Sequence, residues 1–267
     1  MSGEPAITAH ELTKQYRDVA ALRGVTFEVG AGAIFGYLGR NGSGKTTTVR
    51  ILTTLTRPTS GTATVAGVRI DRAREVRRRI GVTLQDAALD PSMTGADHLR
   101  LVAGLWGLRR TEAAGRTDEL LELFGLVDAA DRRIATYSGG MQRRLDIATA
   151  LVRRPSVLFL DEPTTGLDVQ SRRALWAEIR RLRADGVTIF LTTQYLEEAD
   201  ELADRIAIVD AGRIVAEGTP AELKALHGGA PIEQPVVPVP SLEEVFLSLT
   251  GSSIVMSSDE LRQVEPA

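Results

Sequence analysis

The sequence predicts an α/β protein with a mainly parallel core sheet, an antiparallel β subdomain and a helical insertion. Three observations predict it. Short apolar runs alternate with helical patterns along most of the 267 residues. A glycine-rich stretch, GRNGSGKT at 39–46, follows the apolar run 34–38 and opens a helix. The apolar run 157–160 ends on Asp161 and Glu162, at the strand tip where an open α/β sheet places its ligand.

Taken in order, alternation at 7–12 and 25–29 predicts edge strands of an antiparallel opening, and 34–38 predicts the buried strand that feeds the glycine-rich loop. A helix is expected from 44 to about 55, with strands near 62–65 and 80–84. The basic run RAREVRRR at 72–79 reads as a solvated helix face. Between 94 and 127 the pattern is helical, broken at Gly107 and in the charged stretch before Arg116, which marks an insertion at about 86–155. A further helix is expected at 141–153, opened by Ser138, Gly139 and Gly140. Runs at 157–160, 187–191, 206–209 and 214–216 predict core strands, with a helix at 169–184 between the first two. The compact unit is expected to span 1–227, followed by a proline- and glycine-rich linker at 228–240 and a tail at 241–267. Within the tail, 241–249 has the apolar spacing of an amphipathic helix that docks on its own subunit or a dimer mate.

Composition excludes several chemistries. The absence of cysteine removes disulfides, thiolate metal sites and a cysteine nucleophile, and three scattered histidines give no histidine cluster. A net charge of −3 provides no electrostatic footprint for nucleic acid. No apolar run approaches the roughly 18 residues of a membrane span, and the N-terminus lacks the pattern of a secretion signal, so a cytoplasmic location is expected.

The stretch at 39–46 fits the phosphate-loop pattern GxxxxGK[ST]. Gly39, Asn41, Gly42, Ser43 and Gly44 would bring backbone N–H groups around phosphate oxygens, Lys45 would supply positive charge, and Thr46 a magnesium ligand, with Thr47 following. Asp161 is expected to hold the ion through water. Alternation at the strand end turns Glu162 the other way, toward attacking water, as general base.

The order GRNGSGKT, YSGGMQ at 137–142 and VLFLDEPTTGLD at 157–168 resembles the ATP-binding cassette (ABC) ATPases, over residues 7–218. Within that family YSGGMQRRLDIA, LTTQYLEEADELADRI and SLEEVFLSLTG are similar to the daunorubicin-resistance type of exporter ATPase. The resemblance implies the phosphate-loop nucleotide-binding fold, ATP and Mg²⁺ as ligands, and hydrolysis coupled to transport. It also assigns roles. Tyr16 would lie against adenine, and Gln85 would touch magnesium or water from the loop leading into the insertion. Ser138, Gly139 and Gly140 would face the phosphate loop of a second copy in a head-to-tail homodimer, and Asp168 would cross the same interface.

Gln194 would take the place of the histidine that most members direct at the γ-phosphate, and it cannot become a cation near neutral pH. Arg40 stands where proline is common, and Tyr137 where leucine is usual. Trp106 and Trp176 read as helix packing. A separate permease would dock near Gln85 and the 94–108 helix, holding the chain on the inner face of the membrane. The cargo would be a drug or natural product, with lipid or polysaccharide as alternatives. A permease-free ATPase of the cofactor-assembly type is the other class of reading; the long coiled-coil insertions of repair ATPases and the paired cassettes of translation factors are not seen.

Overall fold

The computed structural model describes residues 4–85 and 88–227. The expected linker and the tail helix at 241–249 lie outside the described residues.

β1 (Ile7–Tyr16) and β2 (Val19–Val29) form a hairpin in which Ile7 pairs with Val29. β3 (Ile34–Gly39) then enters the core with every residue buried, and α1 (Lys45–Leu52) follows the glycine-rich loop. β4 (Ser60–Val65) and β5 (Val68–Arg69) return to the first sheet, giving the antiparallel order β2-β1-β4-β5. The segment at 7–12, expected at an edge, is therefore an interior strand: β4 pairs its other side, with Ile7 opposite Val65. α1 ends at Leu52, short of the expected 55.

The basic run forms α2 (Ala73–Arg77), which buries Val76 and leaves Arg74 and Arg77 exposed. After β6 (Ile80–Thr83) come α3 (Gly95–Leu105) and α4 (Arg110–Leu123). The break expected before Arg116 is absent, because the charged residues of α4 form its solvent face while Ala113, Thr117, Leu120 and Leu121 are buried. α5 (Gly139–Ala150), β7 (Val157–Asp161), α6 (Val169–Ala184), β8 (Thr188–Thr193), α7 (Leu196–Leu202), β9 (Arg205–Asp210), β10 (Arg213–Gly218) and α8 (Pro220–His227) complete the described chain.

The second sheet has the order β10-β9-β3-β8-β7-β6 and is parallel except for β10 against β9. β3, β7 and β8 are buried at every position because both faces are covered, although three of the six residues of β8 are threonines. One face packs against α5 and α6 through Leu145, Ile147, Leu175 and Ile179. The other meets α1 and the antiparallel sheet. There the rings of Phe27, Phe35, Tyr37, Phe159 and Phe190 pack in stacked and tilted pairs with centroids 5.4 to 5.8 Å apart, joining the two sheets by aromatic contact.

Parallel register decides where the chemistry falls. Leu38 of β3 lies opposite Thr193 of β8, and Asp161 of β7 opposite Thr192. The glycine-rich loop, the Asp161-Glu162 pair and the segment holding Gln194 thus leave the same end of the sheet, at the C-termini of its interior strands.

Candidate active site

The loop between β3 and α1 is shaped for an anion. Gly44 caps α1 with φ of 107°, a backbone region costly for side chains with a Cβ, and contributes no side-chain cap. The first-turn N–H groups of Lys45, Thr46 and Thr47 are therefore without a capping side chain at the positive end of the helix. Lys45 is buried, donating to the carbonyls of Gly39 at 2.8 Å and Arg40 at 3.2 Å.

A cleft of about 480 Å³ brings together Tyr16, Asn41, Gly42, Gly44, Lys45, Thr46, Thr47, Gln85 and Glu162. Gly39 ends β3 behind it, and Ser43 is buried with its hydroxyl unpartnered. Tyr16 is half-exposed, with the Lys14 ammonium 4.8 Å from its ring centroid.

Asp161 is fully buried. One carboxylate oxygen accepts from the Thr192 hydroxyl and the other, Oδ2, has no partner. A buried carboxylate oxygen left bare is costly, and a hydrated cation is the group that would satisfy it. The donor set of Asp161, Thr46 and Gln85, all oxygen, suits magnesium and offers no nitrogen or sulfur for a softer metal.

Glu162 departs from the expected geometry. It is not the last residue of a pleated strand but lies beyond β7 with φ of 48°, so strand alternation does not aim it. Its N–H donates to both the carbonyl and the hydroxyl of Thr192, each at 3.1 Å, and its carboxylate meets Lys45 at 3.1 Å. Thr192, which the sequence reading did not single out, thus holds both carboxylate residues. The available signal was the pair Thr192-Thr193 directly after the apolar run that ends at Leu191.

Ser138, Gly139, Gly140, Asp168 and Gln194 do not line this cleft. Ser138 caps α5, accepting from the Met141 N–H at 3.3 Å. Asp168 caps α6, accepting from the Ser171 N–H at 2.8 Å and its hydroxyl at 2.7 Å; the N–H bond leads in holding the carboxyl below its ordinary range. The two helix ends abut, since a Cβ on Gly140 would stand 2.7 Å from the Ser171 hydroxyl. Gln194 is half-buried in the bend after β8. Trp176 packs as expected, buried with its Nε1 donating to Glu198 at 3.1 Å. Trp106 does not: it is 43% exposed, with the Arg153 guanidinium 4.9 Å from its ring. It faces a largely apolar groove of about 400 Å³ that Val82, Leu84, Val102 and Asp146 also line.

A phosphate loop, two adjacent carboxylates at the same end of a parallel sheet and a glycine-opened helix define the nucleotide-binding subunit class of P-loop ATPases. The family model for ABC transporters matches residues 22–165. The daunorubicin resistance ATP-binding protein DrrA2 of Streptomyces coeruleorubidus is 52% identical over 229 residues, covering 85% of this chain and 71% of that protein. A solved ATP-binding subunit of an ABC transporter superposes with a TM-score of 0.78 at 30% identity, covering 91% of this chain and 99% of its own. An ATP-binding cassette dimer in a post-hydrolysis state, bound to ADP and Pi, superposes with a TM-score of 0.73 at 26% identity, covering 80% and 98%. The chain belongs to the ABC transporter family, as its ATP-binding cassette.

Proposed function

We propose that the chain is the ATP-hydrolysing subunit of an exporter that drives a drug or natural product through a separate membrane permease. The observation that carries this reading is the cleft in which Lys45, Thr46, Gln85 and Glu162 meet, beside a buried Asp161 oxygen without a partner.

In this reading Lys45 and the first-turn amides of α1 hold the phosphates of ATP, and Tyr16 offers its ring to adenine. Thr46, Gln85 and, through water, Asp161 would hold magnesium, which supplies neutralising charge at the transferring phosphoryl oxygens. The Lys45 ammonium turns toward phosphate, and the Glu162 carboxylate it leaves accepts the proton of the attacking water. Gln194 fixes the γ-phosphate through one neutral amide hydrogen bond.

Ser138, Gly139, Gly140 and Asp168 lie on adjoining helix ends outside their own cleft, so in this reading they complete the cleft of a second copy in a head-to-tail homodimer. The solved cassette that is dimeric and bound to ADP and Pi supports a dimer. No helix among the described residues is long and apolar enough to cross a membrane, so the transport path is assigned to a permease. The groove flanked by Trp106 and Leu84 is the docking face we assign to it, which would keep the chain at the inner face of the membrane. The drug-resistance relative supports the cargo class.

The test is daunorubicin efflux from cells expressing this chain together with a candidate membrane permease. Faster loss of cell-associated drug than with the Lys45→Ala variant is expected; equal retention would refute the export reading.

A further inference from the structure

Arg143 on α5 is a buried cation outside the nucleotide cleft. Its Nε donates to the Pro163 carbonyl at 2.9 Å, one Nη to the Leu84 carbonyl at 2.8 Å, and the other Nη to the Asp161 carbonyl at 3.0 Å. Its counter-charge is Asp146, one turn along the same helix at 3.0 Å. The three carbonyls belong to the residue before Gln85, the magnesium-binding residue, and the residue after the general base. Leu84 and Asp146 also line the apolar groove assigned to the permease. One side chain thus spans the distance from that groove to the catalytic turn.

We propose that Arg143 is a positioning residue that couples the groove to the catalytic turn, fixing the backbone on both sides of Glu162 and in front of Gln85. The inference rests on the ATPase reading above and adds a route by which a permease segment moving in the groove reaches the catalytic carboxylates. The planar guanidinium matters because it sends donors to three separate carbonyls at fixed angles, which a lysine ammonium cannot reproduce. Arg143 touches neither Lys45 nor the phosphate-loop amides in any hydrogen bond of the described residues, so nucleotide affinity should be independent of it. Burial of both charges pulls the Arg143 guanidinium down and pushes the Asp146 carboxyl up to about 6, consistent with a pair shut away from solvent.

The experiment measures steady-state Mg-ATP hydrolysis by the purified full chain. Arg143→Lys should lower kcat by about ten- to a hundredfold, the usual consequence of a small misplacement of catalytic groups. KM for ATP should stay within about twofold, and the magnesium concentration for half-maximal activity should rise, because the Asp161 backbone is no longer held. Arg143→Met combined with Asp146→Leu replaces the buried pair by apolar side chains, a change that commonly preserves stability. It should give a folded chain with the same slow turnover, and so covers the case in which the lysine variant does not fold. A folded variant of either kind with the parent kcat would overturn the inference. So would a loss in which kcat, KM and thermal midpoint all worsen in the lysine variant and all recover in the double variant, since that marks a merely structural role. If the parent chain itself releases no phosphate, the ATPase reading fails. If the parent turns over, Glu162→Gln does not, and Arg143→Lys matches the parent, the inference alone fails.

Discussion

The ammonium of Lys45 lies 3.1 Å from the carboxylate of Glu162, and both side chains are almost wholly buried, at 4% and 8% exposure. The phosphate-binding cation and the proposed base therefore share one contact, and an incoming triphosphate competes with Glu162 for Lys45. Lys45→Ala should abolish tight nucleotide binding. Glu162→Gln should instead tighten ATP binding by about three- to tenfold, since a neutral amide competes less for the ammonium. Equilibrium binding of a fluorescent ATP analogue checks both; weaker binding by Glu162→Gln would contradict the competition.

Gln194 is expected to act through one hydrogen bond made mostly in the transition state. Gln194→Ala should cost about 2–4 kcal/mol, or roughly thirty- to a thousandfold in kcat, with ATP affinity nearly unchanged. Gln194→His should introduce an ionisation near pH 6.5 into the rate profile that the parent lacks. Normal turnover by the alanine variant would remove Gln194 from the mechanism.

Tyr137 and Gly95 are fitted to each other. The Tyr137 hydroxyl donates to the Ala129 carbonyl at 2.7 Å and sits where a Cβ on Gly95 would clash with it. Gly95→Ala should therefore destabilise the chain by about 1–3 kcal/mol, as overpacking does. Tyr137→Leu, the residue usual in the wider family, should make Gly95→Ala tolerable. Denaturant melts of the two single variants and the double variant should show coupling; simple additivity would mean that the clash is relieved elsewhere.

Glu178 on α6 is half-buried 3.9 Å from Arg144, with its second oxygen unpartnered. Burial pushes its carboxyl up to about 7, and Arg144 offsets only part of this. The fold keeps a proton that the unfolded chain releases, so its contribution is fully present below about pH 4.5 and is lost as pH rises through about 7. Glu178→Gln should match the parent at pH 4 and be more stable by about 1–2 kcal/mol at pH 8, allowing for partial solvent screening. Thermal midpoints across that range test it; a variant less stable at pH 8 would show that the ion pair with Arg144 outweighs burial.

How much of this was legible in the sequence follows from the range of each interaction. Gly44, Lys45 and Thr46 act through local backbone within one contiguous motif, so their spacing alone pointed to phosphate. Tyr16 and Gln85 carry no local signature and were placed by resemblance. Thr192 and Arg143 were missed because their partners come from other segments: the strand register sets Thr192 against Asp161, and α5 packing sets Arg143 against carbonyls 18, 20 and 59 residues away. The backbone turn at Glu162 was invisible because the apolar run gives no sign that the strand stops one residue earlier. Trp106 was misread because an apolar helical neighbourhood looks the same whether the neighbouring surface is core or groove.

Single-turnover and steady-state Mg-ATP hydrolysis by the parent and by Glu162→Gln is the measurement that bears most directly on the account. The parent should release phosphate. The glutamine variant should bind ATP, form a stable dimer seen by size exclusion with multi-angle scattering, and turn over at least about a hundredfold more slowly. Hydrolysis by Glu162→Gln at the parent rate would contradict the assignment of Glu162 as the base, and with it the mechanism built on the Lys45–Glu162 cleft.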